Sequence, residues 1–385
     1  MKEWKTYRIG DICKTNSSQY STKEAWDEFL YLDTGNITRN IIEDIVRYAS
    51  AAELPSRARR KVVNDDIIFS TVRPNQCHFG ILSNPPANLL VSTGFTVITA
   101  NKKIVDPYYL YYYLTQDSIV DYLHSIGEQA VSAYPSIKAQ DIEDIEIELP
   151  DLSTQNNIAK TLRALDNKIQ LNRQINDNLE QQAQALYKSW FVDFEPFKDQ
   201  EFVDSEFGLI PEGWHCTTIS ELLSIKYGKD HKKLAEGIVP VYGSGGLMRY
   251  VDTKLHEGEA VLIPRKGSLN NVMYVNEAFW TVDTMFYSIP KQEYSCIYAY
   301  LFLANKDLAS MNAGSAVPSM TTDILNNMHI IAPPVEVLKR FNNICDVYFS
   351  RINQNNIENA NLSKQRDTLL PKLMSGELKI NEIDC

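Results

Sequence analysis

Two long stretches of the chain place apolar or amide residues alternately four and three positions apart. The first runs Ile158, Leu162, Leu165, Ile169, Asn172, Asn176, Leu179, Ala183, Leu186, Trp190. The second runs Phe341, Cys345, Tyr348, Ile352, Asn355, Asn359, Leu362, Arg366, Leu369, Leu373. This spacing is the a/d seam of a heptad, and it predicts helices over roughly 152–192 and 335–373. Each starts after a proline signal, Pro150 or Pro333-Pro334. The alternative is a solvated amphipathic helix lying on a core. Asn at the same two layers of both seams favours mutual antiparallel packing, because a buried seam Asn fixes register at a cost in stability. Elsewhere the pattern changes to short apolar runs such as Asp66-Ile-Ile-Phe69 and Ala260-Val-Leu-Ile263, which read as buried strands. Tyr109 to Leu114 and Tyr298 to Leu303 are apolar all round and read as buried helices.

These elements come in pairs, so the chain is an internal repeat. Trp4 to Ile12 is answered by Trp214 to Leu222 at offset 210, and Asp66 to Phe69 by Ala260 to Ile263 at offset 194. Thr93-Gly-Phe95 is aligned with Thr284-Met-Phe286. From Pro135-Ser-Ile137 and Pro318-Ser-Met320 onward the offset is 183, with no gap through both heptad stretches. The expected fold is therefore α+β, with two pseudo-symmetric globular domains separated by two long helices in an antiparallel coiled coil. The predicted boundaries are 1–150 and 196–334 for the domains, and 151–195 and 335–385 for the helices and tail.

Length, 385 residues, suits two such domains. The six cysteines form no C-x-x-C pair, and no secretory h-region or run of 18 apolar residues is visible. A cytoplasmic location without a membrane partner is expected. The net charge of −11 argues against a uniformly basic nucleic-acid binder. The bases are nevertheless clustered, at Arg57, Arg59, Arg60 and Lys61 and again from Lys226 to Lys233. Local basic patches on an acidic body remain compatible with DNA.

Catalytic signatures are missing. There is no P-loop, no H-E-x-x-H or other zinc spacing, and no G-x-S-x-G. Gly243-Ser-Gly-Gly246 lacks the lysine of a phosphate loop and reads as a turn. Asn84-Pro-Pro-Ala87 lacks the stacking aromatic of an amino-methyltransferase loop, and Glu377-Leu-Lys379 lacks the paired acidic strand of a nuclease. No catalytic centre, metal or cofactor is expected in this chain.

As a set, Leu149 to Ala159, Leu165 to Ile169, Leu179 to Phe194 and Gly208 to Trp214 resemble the specificity subunit of type I restriction-modification enzymes. The resemblance implies two target-recognition domains, each reading half of a bipartite double-stranded DNA sequence. It implies docking of two methyltransferase subunits, which carry S-adenosylmethionine, and of two restriction or motor subunits using ATP and Mg. A pure scaffold and a fused methyltransferase or nuclease are the alternatives. One departure stands out: Gln155 near the first helix start has Leu338 as its counterpart.

Direct readout needs Arg or Lys for guanine and Asn or Gln for adenine. The loop after Phe69 offers Arg73, Asn75, Gln76 and His78; its repeat partner offers Arg265, Lys266, Ser268, Asn270 and Asn271. These are the expected DNA contacts, against solvated hairpin tips as the alternative. Arg57, Arg59, Arg60, Lys61, Lys229, Lys232 and Lys233 are expected on phosphates, against a solvated charged face. Tyr250, beside Arg249, is expected to pack in the core, against reaching the DNA backbone as the alternative. Trp190, Phe191 and Phe194 are taken as a methyltransferase-docking patch, with packing beneath the second domain as the competing reading.

If the helices set the spacing of a bipartite site, seven residues inserted after Asn172 keep the seam in phase and add about 10.5 Å. The unread spacer should lengthen by about three base pairs with both half-sites unchanged. Mapping adenine methylation in cells carrying the variant and its methyltransferase partner reads this directly; an active variant with the original spacer refutes it.

Overall fold

The computed structural model describes residues 4–129, 134–311 and 319–379. It divides into two compact units, residues 1–170 with 358–385 and residues 171–357. The boundary therefore cuts each long helix instead of separating helices from domains.

Both helices form as the heptads require, over Leu152–Phe191 and Val335–Met374. Within the first unit they run antiparallel, since Asp166 meets Arg366 at 2.8 Å and Lys168 meets Glu358 at 3.4 Å. Within the second unit Asn355 Nδ2 donates to Asn176 Oδ1 at 2.7 Å, and Asn176 Nδ2 to Asn356 Oδ1 at 2.9 Å. Asn172, Asn355 and Asn359 are all buried. The buried stripe is wider than the heptad seam and takes in Ala159, Tyr187 and Phe191. The reason is that the helices also close the domain cores, which needs a broader apolar face than a two-helix seam.

In the first unit Ile158, Leu162, Leu370 and Leu373 share one core with Ile9, Phe69 and Tyr109. Two four-stranded sheets build this domain. One has the order Val46–Tyr48, Phe29–Leu32, Leu89–Ser92, Ala58–Lys61; the other Cys13–Thr15, Phe95–Ala100, Ile67–Ser70, Phe79–Ile81. In the second unit a six-stranded sheet runs Leu223–Tyr227, Met285–Pro290, His256–Pro264, Met273–Thr281, Val239–Gly243, Gly246–Val251. The apolar segments Pro107–Leu114 and Ser295–Ala304 are buried helices. No helix among the described residues is long and apolar enough to cross a membrane.

Strand register shows the repeat pair by pair. Lys5 lies opposite Leu149 and His215 opposite Ala332. Ile98 lies opposite both Thr15 and Ile67, and Ser288 opposite both Ile225 and Val261. These pairs put Phe95 level with Met285, because their partners Ser70 and Pro264 are themselves equivalent. The alignment of Phe95 with Phe286 is thus one residue out, and on a strand that slip exchanges the two faces. Pro318 and Cys385 lie outside the described residues.

Gln155 is fully buried and pins the first helix to its domain. Its Nε2 donates to the carbonyls of Pro150 at 2.9 Å and Ile104 at 3.2 Å, and its Oε1 accepts from Asp106 N at 2.9 Å. At the equivalent position Leu338 sits in the apolar core of the second unit. Gln155→Leu should therefore not be neutral in the first unit. It leaves a buried N–H without its acceptor, at a cost of about 1–3 kcal/mol. Urea unfolding should show a lower midpoint at unchanged slope, and an unshifted midpoint would contradict the role given to this amide.

Candidate nucleic-acid interface

The loop after Ile67–Ser70 is held by its own backbone. Thr71 donates to Gly94 O through its N–H at 2.8 Å and its hydroxyl at 2.9 Å. Ile137 N donates to Thr71 O at 2.8 Å. In the other repeat Arg265 N donates to Thr284 O at 2.9 Å, and Met320 N to Arg265 O at 2.9 Å. Val72 bridges Ser136, and Lys266 bridges Ser319. The two predicted reading loops are thus built by the same bonds at equivalent places.

Arg73 adopts φ 47° ahead of a 3-10 turn at Pro74–Gln76, and its guanidinium lies 4.7 Å from the Tyr134 ring centroid. Asn75 and Gln76 are exposed on that turn. His78 is different. Its Nδ1 lies 2.7 Å from the carbonyl of Ile37, which only accepts, so this nitrogen carries the proton and is committed to the fold. It therefore ties two loops together through Nδ1.

The basic run Ala58–Lys61 is a strand, so its side chains diverge. Arg57 is exposed and Arg59 partly so, with Arg59 Nε donating to Ser56 O at 3.3 Å. Lys61 pairs with Glu24 at 2.6 Å and lies over the Trp26 ring. Arg60 is half-buried, its Nε and Nη1 shielded from solvent without an acceptor, and this burial pushes its pKa down. Arg60 and Lys61 are thus partly buried, whereas Arg57 faces solvent.

In the second unit Lys229, Lys232 and Lys233 are exposed on one loop. The loop is clasped from behind. Trp280 Nε1 donates to Lys229 O at 2.9 Å, and Arg249 Nη2 to the carbonyls of Leu234 at 2.7 Å and His231 at 3.1 Å. Arg265 lies over the Tyr227 ring and donates to Asp283 O at 3.2 Å. Lys266 and Ser268 are exposed.

Asn270 and Asn271 spend their amides internally. Asn270 donates to Asp307 at 3.1 Å and accepts from Ala309 N at 2.8 Å. With the Ser310 N–H, that amide holds the Asp307 carboxyl below its usual range. Asn271 donates to Ser244 O at 2.8 Å. Both were expected to read bases, and both also fasten their loop, Asn270 from an exposed position and Asn271 from a partly buried one.

Trp190 and Phe191 are 7% and 4% exposed. Phe191 packs on Phe341 at 4.7 Å and Tyr298 at 4.6 Å, and the partly buried Phe194 on Trp214 at 5.4 Å. Trp190 and Phe191 thus belong to the core beneath the second domain, as the competing packing reading has it, and Phe194 packs at its edge. Tyr250, expected to pack, is exposed. Sequence reasoning missed the exposed rings of Tyr134 and Tyr227 beneath the two arginines. It also missed exposed Leu247 and Met248 beside the turn at Gly243 to Gly246.

Two homologous α+β domains, each closed by halves of the same two heptad helices and carrying a braced loop cluster with exposed bases, define a duplicated surface-loop recognition protein. Residues 1–181 and 211–362 match the family described as Type I restriction modification DNA specificity domain, and the chain belongs to that family. It is 26% identical to the type I restriction enzyme HindI specificity subunit of Haemophilus influenzae, over 98% of this chain and 100% of the relative. It is also 26% identical to the MjaIX specificity subunit of Methanocaldococcus jannaschii, over 99% and 95% respectively. A crystal structure of the S subunit of a type I restriction-modification system from M. genitalium shares the fold, with TM-score 0.57, 16% identity and 96% coverage of both chains.

Asn271→Ala should loosen the clasp between the 265–271 loop and the 243–246 turn while costing only about 1 kcal/mol of global stability. Hydrogen exchange should speed up at the amides of Ser244 to Met248 with a small shift in Tm. Unchanged exchange there would show that this amide fastens nothing.

Proposed function

We propose that this chain is the DNA-recognition subunit of a type I restriction-modification complex. Each domain reads one half of a bipartite double-stranded target. The chain docks two methyltransferase subunits and, through them, two restriction or motor subunits. It performs no reaction itself; S-adenosylmethionine, ATP and Mg belong to the partner subunits.

The observation that carries this reading is the recurrence of one braced loop pair in both domains of a specificity-domain chain, with different exposed side chains in each. Arg73 and Arg265 stand on tyrosine rings, a support that limits the rotamers an arginine loses on binding a base edge. Lys229, Lys232 and Lys233 are unsupported point charges on a clasped loop, which suits phosphates. The division of labour follows from the chemistry: a fork-shaped donor discriminates guanine, whereas an ammonium does not.

Arg265→Ala should relax sequence choice in one half-site, at roughly 1–3 kcal/mol against the correct base. Lys233→Ala should weaken binding to every sequence and flatten the dependence on salt by about one phosphate contact. Both are measured as equilibrium binding of the methyltransferase-bound complex to cognate and single-substituted duplexes between 50 and about 200 mM salt. Identical behaviour of the two variants would remove the distinction between reader and positioner.

A further inference from the structure

The recognition surface of the second unit contains an apolar element that the proposed function leaves unexplained. Strands Val239–Gly243 and Gly246–Val251 form a hairpin whose register shifts between Val241 and Tyr242. Val241 pairs with Arg249 and Tyr242 with Leu247, so Met248 is the extra residue of a β-bulge. A bulge turns a side chain out of the regular alternation. Leu247 and Met248 are 51% and 57% exposed, neighbours at the edge of the sheet. A Cβ on Gly243 would lie 2.5 Å from the Met248 sulfur, so the missing side chain of Gly243 is what gives the thioether its place.

This apolar tip stands among the groups already assigned to DNA. Asn271 fastens Ser244 to the loop that carries Arg265 and Lys266. A Cβ on Gly267 would lie 2.6 Å from Ser244 Oγ, so that loop crosses the hairpin closely. On the other side Arg249, the residue after Met248, clasps the loop of Lys232 and Lys233. Two adjacent apolar side chains held outward between basic loops match a polyanion that also displays apolar groups. Duplex DNA does so in the major groove, where the thymine C5-methyl is the only such group on the base edges.

We propose that Leu247 and Met248 read a thymine methyl in the half-site of the second domain; this rests on the DNA-recognition reading above. The test first takes that half-site from adenine methylation in cells, then replaces each of its thymines by deoxyuridine in a duplex bound by the methyltransferase-containing complex. Deoxyuridine keeps every hydrogen bond and removes one methyl, so one position should lose about four-fold in affinity. In the double variant Leu247→Ala, Met248→Ala that penalty should vanish, with penalties in the other half-site unchanged. The salt dependence should also be unchanged, because no charge is altered. Both side chains are exposed, so Tm should stay at the wild-type value and report any failure to fold. Gly243→Ala provides a second variant, which displaces the thioether without removing it and should reduce the same penalty alone.

Equal binding of thymine and deoxyuridine by the wild type overturns the proposal, as does a half-site without thymine. A penalty that survives in the double variant, or loss of methyltransferase assembly with DNA choice intact, overturns it too, the last outcome making the tip a protein contact. Loss of all discrimination between cognate and scrambled duplex by the wild type would instead refute the DNA-recognition reading itself.

Discussion

Each long helix must satisfy two partners with one apolar face, and the rest of the architecture follows from that. In the first unit Ile158 and Leu162 meet Leu370 and Leu373 and, with them, seal the core around Tyr109. In the second unit Trp190 and Phe191 meet Phe341 and seal the core around Tyr298. Adding one residue to such a helix rotates everything beyond it by about 100° and misplaces both contacts together. The helix segments accordingly keep one offset, 183, from end to end. The loops answer to no such double demand, and there the offset drifts from 210 to 194 to 190.

The repeat is not symmetric in chemistry. Asp166 accepts from Tyr112 at 2.6 Å and from Arg366 at 2.8 Å, a partly buried polar cluster. Burial and the adjacent Asp166 push the Tyr112 hydroxyl up, so it stays a donor. At the equivalent positions stand Phe349 and Ala183, and Phe349 packs on the rings of Tyr274 and Tyr300. Like Gln155 against Leu338, one repeat solves the same packing problem with hydrogen bonds and the other with apolar area. The two solutions do not mix. A register that set Arg366 at the level of Ala183 would bury a guanidinium without its carboxylate, which costs several kcal/mol. The polar cluster therefore contributes to the choice of pairing more than to stability.

The heptads, the duplication and the helix bounds were legible because periodicity is a property of the sequence alone. So was the equivalence of the two loops expected to contact DNA, by their place after equivalent strands. The single slip, Phe95 set against Phe286, came from matching aromatic identity where strand pairing decides register. Residue type did not show that His78, Asn270 and Asn271 also brace their loops. Each carries base-reading chemistry, but its partner is a carbonyl or carboxylate brought near by the tertiary fold, tens of positions away in the chain. Trp190 and Phe191 were legible as a hydrophobic cluster; the identity of what covers it was not, since Phe341 and Tyr298 arrive from distant segments. Met248 left no sequence signal, because a bulge appears only when two strands are paired.

The fasteners and the exposed groups on these loops answer opposite requirements. A donor that binds a base must be unspent before the encounter, whereas the loop presenting it must already be ordered, or binding bears the cost of ordering it. His78, Asn270, Asn271 and Arg249 meet the second requirement by committing a donor to a partner within the chain. Asn75, Gln76, Lys266 and Ser268 remain exposed beside them. In a loop of this kind, exchanging an exposed residue changes what is read without touching the brace, and exchanging a fastener alters the position of every reader on the loop. Under the proposed recognition role, new specificities would be reached through the exposed set, and the fasteners would limit how far each loop can be rewritten.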